Sequence, residues 1–327
     1  MSVLPPESGP LAVCITSNLS LRKTLRRTLN ASGSSVEFLD APPAPGGSHA
    51  QALGAAMLFI DRACRRLAPD LKLGQLIADN GKIIMLGDSL EDEEVVQLLR
   101  GQTCDHLITD VDQLDEVELV VTSVKLASGD IFGLEKYLAW GAKVHELEVS
   151  TYEEKRTVLL TVAQHAKEVG ARRHVIGKIE SVTDELLMNA LYDAPAARKG
   201  QRPGQHTGEL PSLTSAKTGE RALLRYACDG RYFAISVQDS YGELHKEAIL
   251  DNVMRARSER GAPRLGDDDA GMGAGLGLYF ILSSVTRFIA NVDPHVRTEV
   301  VCLFDLKESG RDAPSCARSL HIFTASH

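Results

Sequence analysis

The sequence predicts an α/β protein with two domains. Its length of 327 residues exceeds that of one ordinary domain. In the N-terminal part, short apolar runs alternate with amphipathic stretches, which is the pattern of a parallel sheet covered by helices. Farther along, two apolar runs flank Asp229-Gly230, a dipeptide that favours a tight hairpin and hence an antiparallel strand pair. We therefore expect a parallel sheet in the first domain and antiparallel strands in the second.

Composition indicates a cytoplasmic protein with soluble partners. The formal net charge is −8 and no basic block occurs, which argues against nucleic acid and anionic membranes as partners. The six cysteines are scattered without a C-x-x-C pair, as expected for reduced core thiols. The N-terminus lacks a basic region before an apolar stretch, and no apolar run approaches the ~20 residues that cross a bilayer.

The first domain, residues 1–128, is predicted to contain five strands separated by helices. Leu21, Leu25 and Leu29 recur every four residues and indicate the first helix. The predicted strands are Leu11–Thr16, Val36–Leu39, Ala56–Ile60, Lys82–Leu86 and His106–Ile108. A last helix within residues 111–128 is predicted to bury the apolar face formed by Leu114, Val117, Val121 and Val124.

This alternation resembles the receiver domain of response regulators. Asp61 ends the third strand, where that family carries its phosphorylated aspartate. However, Thr16-Ser17-Asn18 stands where receivers hold Mg²⁺ with an acidic pair. Gly87-Asp88 and Thr109-Asp110 replace the family's hydroxyl and lysine. We therefore expect a degenerate receiver-like domain, in which Asp61 caps a strand end or loop and is not phosphorylated.

Residues 129–175 are predicted to form a helical connector that packs on both domains. Glycines punctuate this stretch, and Tyr152 to Val169 carries apolar residues at helical spacing. At the other end of the chain, residues 309–327 are interpreted as a polar tail.

A candidate site begins on a helix that contains Glu185 and Asn189. Ile179, Val182 and Leu186 form its apolar stripe. The spacing of four residues stacks Glu185 and Asn189 on one face beside that stripe. A carboxylate there can orient or deprotonate a water, and an amide oxygen can ligate Mg²⁺. The alternative is a solvated helix face with one polar pair.

Asp239 closes the second strand of the predicted hairpin and is a second candidate. A carboxylate at a strand end can accept a hydrogen bond from an exocyclic amine such as that of adenine. The alternative is an aspartate that begins a turn.

Four glycines at every second position form the third candidate, directly ahead of an apolar helical run. They are Gly271, Gly273, Gly275 and Gly277. Glycine lets backbone N–H groups converge on one point, and the N-terminus of the following helix adds its positive dipole end. This arrangement favours phosphate binding, although such stretches also serve as hinges or turns.

In this order, E-x-x-x-N, D-x-x-G and G-x-G-L-G-L resemble the nucleotide-binding domain of the GHKL superfamily. Its members include histidine kinases, anti-sigma serine kinases, type II topoisomerases, heat-shock chaperones and mismatch-repair ATPases. The resemblance covers residues 176–308 and implies a two-layer α/β sandwich, with a mixed sheet and helices on one face. It also implies that the domain binds ATP and Mg²⁺.

The resemblance assigns a role to each candidate residue. Asn189 would coordinate Mg²⁺, Glu185 would activate the attacking water or hydroxyl, and Asp239 would bind the adenine amine. Thr298, in a later strand, would support the adenine site. The phosphates would be wrapped by Gly271, Gly273, Gly275, Leu276 and Gly277.

The sequence departs from the superfamily in its first glycine box, which usually reads D-x-G-x-G. Tyr241 and Glu243 stand at the glycine positions, and Gly242 is the glycine present nearby. Residues 194–220 form a longer insertion, which we interpret as a mobile loop. Residues 243–270 would occupy the place of the ATP lid, with a helix at their start.

These features favour an ATP-binding signalling protein that phosphorylates a serine or threonine of a regulatory partner, as anti-sigma kinases do. The alternative is a non-catalytic switch or scaffold in which ATP binding changes affinity for a partner. A histidine kinase is less favoured. His145-Glu146-Leu147 resembles the H-E-L core of that class but lacks the basic residue and proline that follow it, and His165 has no second hairpin helix after it. The sequence leaves the partner's identity and homo-oligomer formation open.

Overall fold

The computed structural model confirms the α/β class and divides the chain into two compact units, residues 1–131 and 132–327. The structure describes residues 9–43, 54–87, 96, 99–100, 104–109, 111, 114–200, 221–251, 254, 277–307 and 317–325.

The first unit contains a sheet in which all paired strands run parallel. Its strands are β1 (Leu11–Ile15), β2 (Ser35–Leu39), β3 (Ala55–Asp61), β4 (Ile77–Leu86) and β5 (Cys104–Ile108). Their order is β2-β1-β3-β4-β5, which is typical of a doubly wound α/β fold. All five predicted strands are confirmed.

The helices of the first unit include α1 (Leu19–Ala31), α2 (Arg62–Leu67) and α3 (Glu116–Ser128). The predicted leucine stripe of α1 is buried in the core. Asn18 caps α1 by accepting hydrogen bonds from the N–H groups of Ser20 and Leu21. The segment Thr16-Ser17-Asn18 therefore ends in a helix cap.

The predicted buried face of α3 is wrong in part. Val117 and Val124 are 54% and 43% exposed, whereas Glu118 and Lys125 are buried. The apolar residues of this helix are distributed around its whole circumference, so their spacing alone does not identify the buried face. Leu119 is buried in the core and Leu126 packs against it, seven residues farther along the helix.

The second unit contains a mixed sheet. Its strands are β6 (His145–Val149), β7 (Ala222–Cys228), β8 (Tyr232–Asp239), β9 (Arg287–Asp293), β10 (Arg297–Asp305) and β11 (Ser319–Thr324). Their order is β11-β9-β10-β8-β7-β6. The β11–β9 pair is parallel, and the other neighbours are antiparallel. The predicted hairpin of β7 and β8 is confirmed, with Gly230 at a φ of 89° in its turn.

Two strands lie outside the predicted sheet. β6 belongs to the segment interpreted as a connector and pairs with β7. β11 lies in the segment interpreted as a polar tail, where Leu320 and Ile322 are buried. β11 has six residues, and its place in the sheet depends on its parallel pairing with β9, which the local sequence does not specify.

The helices that position the site are α4 (Tyr152–Glu168), α5 (Arg173–Met188), α6 (Ala194–Arg198) and α7 (Gly277–Ser284). A π turn, Asn189–Asp193, joins α5 to α6. The predicted apolar stripe of α5 is buried, and this helix packs against α4, α7, β8 and β10. Residues 194–198, predicted as the start of a mobile loop, are helical and begin with the Ala194-Pro195 pair at the helix N-terminus.

Candidate nucleotide-binding site

Glu185 of α5 contacts the start of α7 at Gly277. A Cβ atom built on Gly277 would lie 1.6 Å from Oε1 of Glu185 and 2.2 Å from its Cδ. Such distances are far below van der Waals contact, so only the hydrogen of glycine fits beside this carboxylate in the observed arrangement. The structure thus brings together the predicted catalytic residue and the last glycine of the predicted phosphate-binding run.

The environment of Glu185 raises its pKa above the usual value. Desolvation by burial is the largest cause, and the carboxylates of Asp193 and Asp184 act in the same direction. Lys155 of α4 opposes them. A carboxyl group with a raised pKa accepts protons more readily than one on an open surface, which suits a general base.

Lys155 brings a buried positive charge to this part of α5. Its side chain is 6% exposed, and its Nζ atom lies 2.7 Å from Oδ1 of Asp184. The ring of Tyr152 lies 5.6 Å from the same nitrogen. Lys155 was not predicted as a site residue, because a lysine on a helix is usually solvated and its position in the sequence gives no signal of burial.

Asn189 begins the π turn directly after α5. Its backbone N–H donates to the carbonyl oxygens of Glu185 and Leu186, which continues the helical ladder through this residue. The side chain is half-buried one turn beyond Glu185. The predicted four-residue spacing on a helix is confirmed, whereas the wider turn that follows was not predicted.

Asp239 ends β8 with a buried carboxylate. Its Oδ1 accepts hydrogen bonds from the N–H groups of Tyr241 at 2.8 Å and Gly242 at 3.3 Å. Burial raises the pKa of Asp239 to about 6, against the backbone N–H groups of Tyr241, Gly242 and Thr298, which lower it. Glu243 adds a smaller increase. The carboxylate is thus fixed by its own loop and withdrawn from bulk solvent.

Thr298 lies directly opposite Asp239 in the β10–β8 pairing. It is 2% exposed, and within the described part of the chain its Oγ1 atom has no hydrogen-bond partner. A buried hydroxyl without a partner is unfavourable unless water or a ligand satisfies it. The structure therefore brings these two predicted adenine-site residues together and leaves a polar atom to be satisfied there.

Gly242 shapes the loop after Asp239. Its φ is 67°, and a Cβ atom on it would lie 2.2 Å from the carbonyl oxygen of Asp293 and 2.6 Å from the backbone nitrogen of His295. The β8 loop thus packs backbone to backbone on the β9–β10 turn. Gly242 was predicted as a cofactor-binding residue, and its observed contacts are with this turn and with Asp239.

The remaining predicted phosphate-binding residues lie outside the described part of the chain. They are Gly271, Gly273, Gly275 and Leu276. Most of the predicted lid, residues 243–270, lies outside it as well, and residues 246–251 are helical as predicted. The role of the glycine run toward phosphate stays a prediction.

The structure shows the contacts of Asp61, His145 and His165. Asp61 ends β3 and caps α2 by accepting a hydrogen bond from the N–H of Cys64 at 2.7 Å, so the residue that it caps belongs to a helix and not to the strand end or loop that was expected. His145 of β6 stacks on Tyr226 with ring centroids 5.0 Å apart. His165 of α4 lies 4.9 Å from the ring of His145, and burial lowers its pKa.

Neither a protein-family model nor a curated protein matches the chain. Among solved structures, a chain of the SiaB-SiaC complex from Pseudomonas aeruginosa aligns with a TM-score of 0.32 and 15% identity, over 49% of this chain and 88% of the other. A fungal multi-domain β-N-acetylglucosaminidase with a glucosamine N-acetyltransferase region aligns with a TM-score of 0.28 and 9% identity. That alignment covers 73% of this chain and 25% of the other. At such scores the resemblances carry no functional inference.

Among the residues that the structure describes, no helix combines the length and the apolar character that crossing a bilayer requires.

The described cysteines form no disulfide: Cys14, Cys64, Cys104, Cys228 and Cys302 are free thiols.

Proposed function

We propose that the second unit binds ATP together with Mg²⁺ and transfers the γ-phosphoryl group to a serine or threonine of a regulatory partner protein. One observation carries this proposal. The carboxylate of Glu185 lies against Gly277, so the helix with E-x-x-x-N meets the helix that the glycine run precedes. Phosphoryl transfer needs a base and a phosphate-binding loop at one place, and this contact supports that juxtaposition.

Asp239 and Thr298 support adenine as the nucleobase of the bound nucleotide. A carboxylate accepts hydrogen bonds, and the exocyclic amine of adenine donates them. The unpaired Oγ1 of Thr298 beside it would gain a partner from a bound purine or an ordered water. The pairing of a fixed acceptor with an unsatisfied hydroxyl fits a polar heterocycle better than an apolar ligand.

The amide oxygen of Asn189 is a donor of the kind that Mg²⁺ binds. Amide and carboxylate oxygens are the hard donors that this ion prefers, and it usually keeps several waters and binds substrate phosphates. Among the described residues, no group of three or more His, Cys, Asp or Glu side chains is arranged to hold a metal. In this proposal the ion is held by Asn189 together with phosphate oxygens. When bound, it neutralises charge that develops on the phosphates.

Glu185 is the proposed general base. It would accept the proton of the acceptor hydroxyl as the hydroxyl oxygen bonds to the γ-phosphorus and the bond to the β-phosphate oxygen breaks, which releases ADP. Its raised pKa favours this proton transfer, and its partial burial limits competing hydration.

Calorimetric titration with Mg·ATP tests the binding step. We expect wild-type protein to bind and Asp239→Asn to bind about tenfold or more weakly, because a hydrogen bond to a charged group contributes about 1.5 to 3 kcal/mol. Glu146→Gln is the matched control, since Glu146 is half-exposed and pairs with Arg225 on β7. Equal binding by Asp239→Asn and the control would contradict the adenine site.

Phosphoryl transfer is tested with cell extract and γ-labelled ATP. We expect a labelled serine or threonine that disappears with Glu185→Gln, while ATP binding by that variant persists. Binding without any Glu185-dependent phosphoprotein would exclude the kinase and favour the non-catalytic switch.

A further inference from the structure

Arg198, the last residue of α6, joins two loops beside the candidate adenine site. Its Nη1 atom donates hydrogen bonds to Oε1 of Glu243 at 3.0 Å and to the carbonyl oxygen of His295 at 3.0 Å. A longer contact of 3.4 Å reaches the carbonyl oxygen of Tyr241. One guanidinium group thus touches the loop after β8 and the turn between β9 and β10.

Glu243 is the acidic centre of this group. Its side chain is 10% exposed, and its Oε1 also lies 3.1 Å from Nδ1 of His295. His245 approaches the other carboxylate oxygen at 3.9 Å. We refer to Arg198, Glu243 and His295 as the clamp.

The clamp acts on two segments that already meet through their backbones. The N–H of His295 donates to the carbonyl oxygen of Gly242 at 3.2 Å. Gly242 leaves no room for a side chain against this turn. The loop after β8 and the β9–β10 turn are therefore joined in two ways: by backbone contacts at Gly242 and by the side-chain contacts of the clamp.

The loop held by the clamp also holds Asp239. The N–H groups of Tyr241 and Gly242 donate to Oδ1 of that carboxylate. A movement of residues 241–243 would displace these two donors and so would alter the orientation of the Asp239 carboxylate. Glu243 stands where the D-x-G-x-G pattern has a glycine, so this chain has an anionic partner for Arg198 at a position where that pattern has no side chain.

We propose that Arg198 is a positioning residue of the nucleotide site, which orients the Asp239 carboxylate toward an adenine amine by holding the loop of residues 241–243 through Glu243 and His295. This inference rests on the proposed nucleotide site. It predicts that the clamp affects the discrimination of adenine from other bases more than it affects folding.

The test compares the binding of Mg·ATP and Mg·GTP by wild-type protein, Arg198→Met and Arg198→Lys. We expect Arg198→Met to bind ATP about fivefold more weakly, as loss of a half-exposed ion pair allows, with a smaller change for GTP. Arg198→Lys keeps the charge and recovers part of the loss. Arg221→Met is the matched control, because Arg221 forms an exposed ion pair with Glu148 away from this loop.

A cycle with Glu243→Gln separates positioning from a general loss of structure. If Arg198 and Glu243 act through the same contact, the double variant binds ATP with the affinity of whichever single variant binds ATP more weakly, and no less tightly than that. Equal ATP affinity of Arg198→Met and wild type overturns the clamp but leaves the nucleotide site standing. Equal losses for ATP and GTP overturn it as well. Failure of wild-type protein to bind ATP overturns both. If Arg198→Met does not fold, the same comparison is made with Glu243→Gln, for which we expect a larger loss of affinity for ATP than for GTP.

Discussion

Glu185 and Gly277 lie so close that a Cβ atom on Gly277 would stand 1.6 Å from the Glu185 carboxylate. The carboxylate end of Glu185 is flexible enough to turn away, so we expect Gly277→Ala to displace it at a stability cost of about 1 kcal/mol. Glu185-dependent phosphoryl transfer should then fall nearly as far as in Glu185→Gln. Chemical denaturation and the labelled-phosphate assay measure the two effects.

Gly177 provides the control for that substitution. It lies on the exposed side of α5, and a Cβ atom there meets nothing within 4 Å. Gly177→Ala should stabilise the protein by about 0.5 to 1 kcal/mol through helix propensity, without affecting transfer. Unchanged transfer in Gly277→Ala would show that the position of Glu185 is unimportant.

Asp239 should make stability depend on pH. Its folded pKa, about 6, is raised from an ordinary value near 3.8, so the folded state binds the proton more tightly than the unfolded state. Stability due to this group is therefore highest below pH 4 and falls as pH rises toward 6. Relative to wild type, Asp239→Asn should gain roughly 2 to 3 kcal/mol between these limits.

Denaturation of both proteins at a series of pH values measures this effect. Asp229→Asn is the control, since Asp229 also accepts backbone hydrogen bonds in a turn, from the N–H groups of Arg231 and Tyr232. A constant difference in unfolding free energy between Asp239→Asn and wild type from pH 4 to pH 7 would refute the assignment.

Lys155 and Asp184 should shift the pH profile of transfer in opposite directions. Lys155 lowers the pKa of Glu185 and Asp184 raises it, with Asp193 as a further acidic neighbour. Lys155→Met should therefore move the acidic limb of the profile to higher pH, and Asp184→Asn should move it to lower pH. Shifts in the same direction would indicate a structural disturbance and not a change in charge.

β11 should contribute substantially to the stability of the second unit. Leu320 is fully buried, and its truncation to alanine should reduce the free energy of unfolding by about 2 to 5 kcal/mol. Thr324, the exposed last residue of the same strand, provides the control, and its change to alanine should have an effect below about 0.5 kcal/mol. Urea denaturation of both variants tests whether this strand is integral to the fold.

Local patterns were sufficient to predict the strands of the first unit, the β7–β8 hairpin and the helix of Glu185, because each depends on a short apolar period or a turn dipeptide. The face of α3 and the pairing of β11 depend on neighbours distant in sequence, so no local period reports them. In the site, the positions of Glu185 on its helix and Asp239 at its strand end were predictable. Lys155 and Arg198 were not, since their partners come from other elements.

The π turn after α5 connects the helix of Glu185 to the short helix that ends in Arg198. It holds one more residue per turn than an α-helix, and it separates Asn189 at its start from α6, which ends in Arg198. Reversion of this turn to α-helical bonding would rotate everything beyond it by about 100° around the helix axis. Asn189 and Arg198 therefore lie on either side of one turn, and a change in the hydrogen-bond register of that turn would alter the direction in which Arg198 projects relative to Asn189.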